Sequence, residues 1–451
     1  MRKAGIRGML ALTICSALVV AGCGSNNSNG AGSSPSGSSG DSPKQEVVKF
    51  TVPHYQVGNA IGADYLKSVV ELYNEKFKGK YELTIEEVAG DSQYIEKLKV
   101  LSTSNQLPAF FELGKDLSLG QQIIKNDQVL DLKPYIDAEP ELKALMFEDS
   151  IEFNTVDGKM VGLPLSRDAY LGVFYNKELF EKAGIPSFPE TWDEFWEACE
   201  KLKAAGITPL SLTTAESEQT NYFVTSKLAV DSAEGLEFMR TTFPTDFDAP
   251  YVVDAFAITP KLFSYSTPDA IGGTYAMAAN NFTNGVTAMI GNGPWMVDTF
   301  KNPSTAPEGF LDKVGVAYYP GKALFSNQGK VYGWAVANNQ PKEVQEAAIE
   351  FLKFISTPEI IRKDMVTFGR FSPKVELTDE DKAQLDPQIV ELAELVQEVE
   401  TVIPRIRWDT SVLKEAIPKE LPRLALDRIS AEEYGQKLAE SARKFAQVSG
   451  Q

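Results

Sequence analysis

A single histidine, His54, serves a chain of 451 residues. Chemistry that needs several imidazoles therefore has nothing to work with: no His-rich metal site, and no Ser-His-Asp triad with a base to spare. No glycine-rich phosphate loop of the P-loop or dinucleotide kind stands in the first strand-to-helix turn, so neither a metal nor a nucleotide cofactor is expected. Carboxylates are plentiful, 62 Asp and Glu in all. A glycoside hydrolase needs only two of them at a set separation, and that reading stays open although nothing local marks a pair. The remaining chemistry is aromatic. In "TNGVTAMIGNGPWMVDTF", Trp295 follows Gly291-Asn292-Gly293-Pro294, residues that favour a bend. An indole on a bend either tucks into a core or presents a flat apolar face to a ligand.

The elements that would position these groups are legible from periodicity. "VVKFTV" reads as a strand buried on both faces. Leu66, Val69, Val70, Tyr73 and Phe77 recur at helical spacing up to Gly79. Tyr81, Leu83 and Ile85 then alternate with polar neighbours at strand period. Strand, helix and strand in succession make a βαβ unit, so a parallel sheet flanked by helices is expected. Ligands sit at the carboxyl ends of such strands, which places His54 and Tyr55 of "PHYQVGNAIG" on the ligand side. A satisfied structural role for His54 is equally open. Asp157-Gly158 predicts a hairpin turn. "TWDEFWEACEKLKAAG" carries a capping box, Thr191 with Glu194, and ends at Gly206. Trp192, Trp196 and Cys199 share one stripe of that helix and read as core, as does Trp408. Pro341 opens a further helix, and Thr357-Pro358 restarts it.

Length and composition bound the rest. Two domains are the expectation for a chain this long, and 43% hydrophobic with 24% charged residues fits a globular body. A formal charge of −18 argues against nucleic acid as a partner. The basic Arg2, Lys3 and Arg7 precede the apolar "MLALTICSALVVAG", a pattern of export. "VVAGC" resembles the bacterial lipoprotein signal, which implies cleavage after residue 22 and lipid attachment to Cys23. Residues 23–46, rich in Gly, Ser and Asn, read as a flexible tether. With Cys15 removed and Cys23 lipidated, Cys199 is left alone and no internal disulfide is available.

Four segments in order resemble the solute-binding lipoproteins of carbohydrate ABC importers, the group that contains maltose-binding protein. They are "DGKMVGLPLSRDAYLGVFYNKELFEKAGIP", "TWDEFWEACEKLKAAGITPL", "FTNGVTAMIGNGPWMVDTF" and "WAVANNQPKEVQEAAIEFLKFISTPEIIRKDMVTFGRFSPK". "LPAFFEL" departs from the Pro-Asp-Val usual at that place. The resemblance implies an α/β, two-lobed periplasmic-binding-protein-like fold of type II. Each lobe would be a mainly parallel sheet flanked by helices, with a hinge and a cleft between. Lobe 1 would comprise residues 47–166 and 335–372, and lobe 2 residues 167–334 and 373–451. Crossings are expected near Ser166–Leu171, Tyr332–Ala335 and Gly369–Lys374.

The same resemblance implies function: a non-catalytic, monomeric binding component that delivers a carbohydrate to permease subunits driven by a cytoplasmic ATPase. It would be lipid-anchored at the outer face of the cell membrane, with a one-membrane envelope favoured. A binding protein for a non-sugar solute and a secreted glycoside hydrolase are the alternatives. Trp295 matches the family's ring-stacking tryptophan, with core packing as the other possibility. Trp334 and Tyr222 stand where the family offers aromatic contacts; for Tyr222 the alternative is core. Arg167 and Asp168 at the first crossing and Arg370 at the last would bind hydroxyls or form a hinge salt bridge. Asp116, with Glu112, comes from the departing loop.

Overall fold

A computed structural model describes residues 46–449 apart from Asn59, Arg407, Asp409 and Thr410. The export signal, Cys23 and all but the last residue of the tether lie outside the described residues. Strands β1 (Val48–His54) and β2 (Tyr81–Glu87) run parallel, with the helix Ala63–Lys76 between them. Leu66, Val69, Val70 and Tyr73 are its buried face, as their spacing predicts. β1 is not buried on both faces. Lys49 and Thr51 are exposed, and Lys49 pairs with Glu82 at 2.8 Å on the uncovered side. Phe50 is buried on the covered side, and Val52, Pro53 and His54, at the carboxyl end, form the only consecutive buried run of the strand.

β3 (Phe110–Glu112) follows, then the hairpin β4 (Thr155–Val156) and β5 (Lys159–Met160). Asp157 and Gly158 take φ of 49° and 79°, as a two-residue primed turn requires. The short β6 (Asp168–Ala169) leads to β7 (Gly172–Asn176), β8 (Thr208–Leu210), β9 (Thr287–Asn292) and β10 (Val314–Ala317). The last four form one sheet in the order β10-β7-β9-β8. β11 (Ala323–Ser326) runs parallel to β14 (Thr401–Pro404). β12 (Trp334–Val336) returns to pair with β3, and β13 (Arg370–Phe371) pairs with β6.

The pairing is mixed, which corrects the expectation of mainly parallel sheets. β1–β2, β8–β9 and β11–β14 are parallel; β3–β12, β7–β9, β7–β10 and β6–β13 are antiparallel. The antiparallel partners include β7 and β12, the strands at or just after two of the expected crossings. Chain that arrives from elsewhere enters a sheet at the end opposite to a βαβ return.

Among the described residues, the buried apolar ones form five clusters, four of which fall into two larger sets. One is built from β1–β5, β12 and the helices Ala63–Lys76 and Lys342–Ile355, with Phe50, Tyr73, Phe110 and Phe351 at its centre. The other is built from β7–β11, β14 and the helices that pack on them. The helix Trp192–Ala204 carries the expected capping box and buries Trp192, Phe195, Cys199 and Leu202 in the second set. Trp408 is buried there too, edge-on to Phe247. Val375 and Leu377 pack with Leu145, Ile361 and Met365, and Lys374 donates to the Met146 carbonyl. The segment just after β13 therefore packs against the helix Pro358–Phe368 and the Leu145–Met146 turn.

The paired β6 and β13 lie at two of the three expected crossings. Asp364 fastens them. It occupies the inward stripe of the helix Pro358–Phe368 with Ile360, Ile361, Met365 and Phe368, and its side chain is wholly buried. Arg167 Nε donates to one carboxylate oxygen at 2.6 Å and Tyr65 Oη donates to the same oxygen at 3.1 Å. Arg370 Nε lies 2.7 Å from the other oxygen. One buried anion thus holds the residue before β6 and the first residue of β13.

Candidate functional site

Two clusters of aromatic and polar side chains flank the β6–β13 crossing. The first gathers at the carboxyl end of β1. His54, 1% exposed, accepts the Gln56 backbone N–H on Nδ1 at 3.1 Å. Its proton therefore sits on Nε2, which faces Glu112 Oε1 at 3.2 Å. Tyr55 Oη donates to both Glu112 oxygens, at 3.4 and 3.3 Å. The His54 ring stacks with Tyr55 at 4.7 Å and with Trp334 at 5.4 Å, each within 18° of parallel. Trp334 reaches this place because β12 sets it opposite Glu112 of β3. The Lys115 ammonium caps the stack, 4.0 Å over Tyr55 and 2.6 Å from Asp91. Asp116 lies beside it but caps the helix Leu117–Lys125 through the Leu119 N–H.

Burial alone would raise the Glu112 carboxyl. The hydrogen bond from His54 and the charge of Lys115 outweigh it and hold the group down at about 2, with Arg370 contributing. The sign follows directly: a carboxyl depressed in the folded state stabilises above its usual 4.5, and that stabilisation disappears as pH falls toward 2. The difference corresponds to on the order of 3 kcal/mol. Melting temperatures of the protein and of Glu112→Gln, measured from pH 6 down to pH 2.5, are expected to differ by several degrees at the start and to converge at the acid end. A gap that does not change with pH would contradict the assignment.

The second cluster forms at the end of β9. Trp295 is half-buried, packed on one side against the second core. The bend places the benzo edge of its ring on Gly293: a Cβ added there would lie 2.3 Å from Cη2, so no larger residue leaves the indole in this pose. Arg405, immediately after β14, lies 5.3 Å from the ring centroid. Arg405 Nη2 also reaches Tyr222 Oη at 3.4 Å. Tyr222 is 3% exposed and packs on Phe325, so its ring belongs to the core and only its hydroxyl is turned to Arg405. Asn292 Nδ2 faces the Tyr275 hydroxyl at 3.4 Å.

The crossing ties the clusters together. Asp168 of β6 is buried and accepts from Ser326, from Asn327 and from the Ala169 N–H, each at 2.8 Å. Burial holds its carboxyl above the usual carboxylate range, against the opposing pull of these donors and of the Arg405 charge. Its partners are therefore strand β11 and the turn after it, and Arg167, next in sequence, pairs elsewhere. Arg370 of β13 acts on Glu112 of the first cluster. Gly369, just before it, abuts the Trp295 bend: a Cβ added at Gly369 would lie 3.0 Å from Pro294.

The structure thus brings His54, Tyr55 and Trp334 together with Glu112, and places Arg405 within reach of both Trp295 and the Tyr222 hydroxyl. It commits Arg167 and Arg370 to Asp364, and Asp116 to a helix cap. Sequence reasoning missed Arg405, Lys115, Asn292, Tyr275 and Asp364. Two of them left a signal. Asp364 is a carboxylate on an otherwise apolar helical stripe, and Arg405 stands at a strand end, the criterion that picked out His54.

With this geometry in place, likeness to known proteins is informative. Among curated proteins, a probable amino-acid ABC transporter periplasmic-binding protein, y4oP, of Sinorhizobium fredii is 25% identical over 47% of this chain and 47% of its own length. The sn-glycerol-3-phosphate-binding periplasmic protein UgpB of Rhizobium meliloti is 26% identical over 47% of this chain and 49% of its own. The chain spans about half the length of the curated relatives it matches. Among solved structures, a chitin oligosaccharide binding protein superposes with a TM-score of 0.75 at 24% identity, covering 88% of this chain and 98% of that one. A Streptococcus pneumoniae solute-binding protein in complex with the blood group A-trisaccharide gives 0.69 at 20% identity, over 87% and 98%. Those identities speak for a shared two-lobed α/β fold. The family described as bacterial extracellular solute-binding protein matches residues 59–360, well over half of the sequence, and it is to that family that this chain belongs.

Proposed function

We propose that the protein is the carbohydrate-binding component of an ABC importer, without catalysis of its own. The observation that carries this is Trp295: an indole half in and half out of the second core, braced from the side by Gly293 and Arg405. A pyranose offers an apolar face of C–H groups that suits such a ring, with polar neighbours to fix its hydroxyls. In this reading lobe 1 comprises residues 47–166 and 335–372, and lobe 2 residues 167–334 and 373–451. The sugar lies between them, against Trp295 and Arg405 from one lobe and Tyr55 and Glu112 from the other, with Trp334 at the crossing. Closure around the ligand presents one shape to the permease, which requires that the sugar bind the closed form better than the open one. The protein acts as a monomer, anchored by lipid on Cys23 at the outer face of the membrane.

Thermal unfolding against a panel of mono- and oligosaccharides tests the proposal. A sugar at about 100 times its Kd adds roughly 2.7 kcal/mol of stability, which raises the midpoint by several degrees. A selective rise, with the sugar recovered intact, is the expected result. No rise with any saccharide defeats the reading, and cleavage of the sugar would replace it with a hydrolase.

A further inference from the structure

Arg405 holds a place that ordinary ion pairing does not explain. Among the described arginines that are at least partly buried, Arg167, Arg362, Arg370 and Arg423 each have a carboxylate oxygen within 4.0 Å. Arg405 has none among the described residues. Among the described residues its one hydrogen bond is the 3.4 Å contact from Nη2 to the Tyr222 hydroxyl, at the long limit for such a bond. A guanidinium has five N–H donors in a planar fork, so four of these have no acceptor among the described residues. The acids whose charge reaches it make no ion pair with it: the Asp168 carboxylate already accepts from three other donors, and Glu218 stands exposed in the first turn of its helix. The guanidinium is placed 5.3 Å from the Trp295 ring centroid, so donors and stacking platform belong to one locus.

We infer that Arg405 is a specificity-determining residue that grips an anionic oxygen group on the ligand, while the apolar face of the same sugar rests on Trp295. The shared chemistry is a pair of oxygens on one centre, as in the carboxylate of an acidic sugar or the phosphate ester of a sugar. The reason is geometric as well as electrostatic. A planar fork matches two coplanar oxygens, and charge-assisted bonds of this type are about twice as strong as neutral ones. A lysine at this position would supply the charge without the fork. The inference rests on the carbohydrate reading above and narrows it to acidic saccharides.

Isothermal titration of the protein with maltotriose, trigalacturonate and glucose 6-phosphate tests it, in wild type, Arg405→Lys and Arg405→Met. Wild type is expected to bind an acidic probe about tenfold or more tighter than the neutral one, the carboxylate and phosphate probes deciding between the two sources. Arg405→Met is expected to erase the preference and Arg405→Lys to lose most of it, both melting close to wild type. The neutral-sugar arm of Trp295→Ala separates the two ideas. If maltotriose binds through Trp295 but no acidic probe is preferred, or if Arg405→Lys keeps the full preference, the inference is overturned and the carbohydrate reading stands. If none of the three probes binds wild type, both fall.

Discussion

Trp295→Ala is expected to weaken saccharide binding by about 50- to 100-fold and to leave the protein folded. The size follows from area. One face of an indole covers on the order of 100 Å² of sugar, and at about 25 cal/mol per Å² that amounts to about 2.5 kcal/mol. The fold should survive because the ring is half-buried and only its inner side contacts the core. Losing those contacts costs about 1–2 kcal/mol, at the low end for a large-to-small change. Trp295→Phe, which keeps a flat ring, should recover part of the affinity. Titration calorimetry with the sugar found by thermal screening, beside melting curves of each variant, makes the measurement. Unchanged affinity in Trp295→Ala, or a chain unfolded at 25 °C, would return Trp295 to the core and remove the platform.

The second large effect belongs to Asp364. Its carboxylate is the one anion shared by Arg167 and Arg370, with the Tyr65 hydroxyl as a further donor. Asp364→Ala leaves the Arg167 side chain, only 14% exposed, with an uncompensated charge. Breaking a buried pair from one side costs about 3–5 kcal/mol, so the melting temperature should fall by on the order of 10 °C. The damage is also local. β6 and β13 lose the tie that fixes them to the helix Pro358–Phe368, and ligand affinity should weaken even at temperatures where the variant is folded. Asp364→Leu combined with Arg167→Met and Arg370→Met removes the stranded charges and is expected to recover much of the stability without the original affinity. A melting temperature for Asp364→Ala within two degrees of wild type would show that the network is only a surface ion pair.

These two residues mark the line between what the chain announces and what the fold decides. Trp295 was legible because local chemistry singles it out: four turn-forming residues force a bend, and an indole on a bend has few uses. The βαβ unit, the primed hairpin turn at Asp157-Gly158 and the capped helix Trp192–Ala204 were legible for the same reason. Each depends on periodicity or turn chemistry within a few residues. Membership in the solute-binding family followed from such segments recurring in order. Pairing direction was not legible, because β7 and β12 meet strands distant in sequence, and local pattern carries no record of which end they enter from.

The candidate site divides in the same way. Sequence alone placed His54 and Tyr55 at a strand end and Arg167, Asp168 and Arg370 at crossings. Only tertiary structure decided their partners. Asp168 turns to Ser326 and Asn327, 158 and 159 residues away, and Arg167 turns to Asp364, 197 residues away. Arg405 shows the limit most clearly. In sequence it is one of many basic residues after a short strand. Beside Trp295, with no carboxylate in reach among the described residues, its charge and its idle donors acquire a use. Hydrophobic spacing is a property of neighbours along the chain, whereas electrostatic partnership depends on distance and burial, which exist only once the chain has folded.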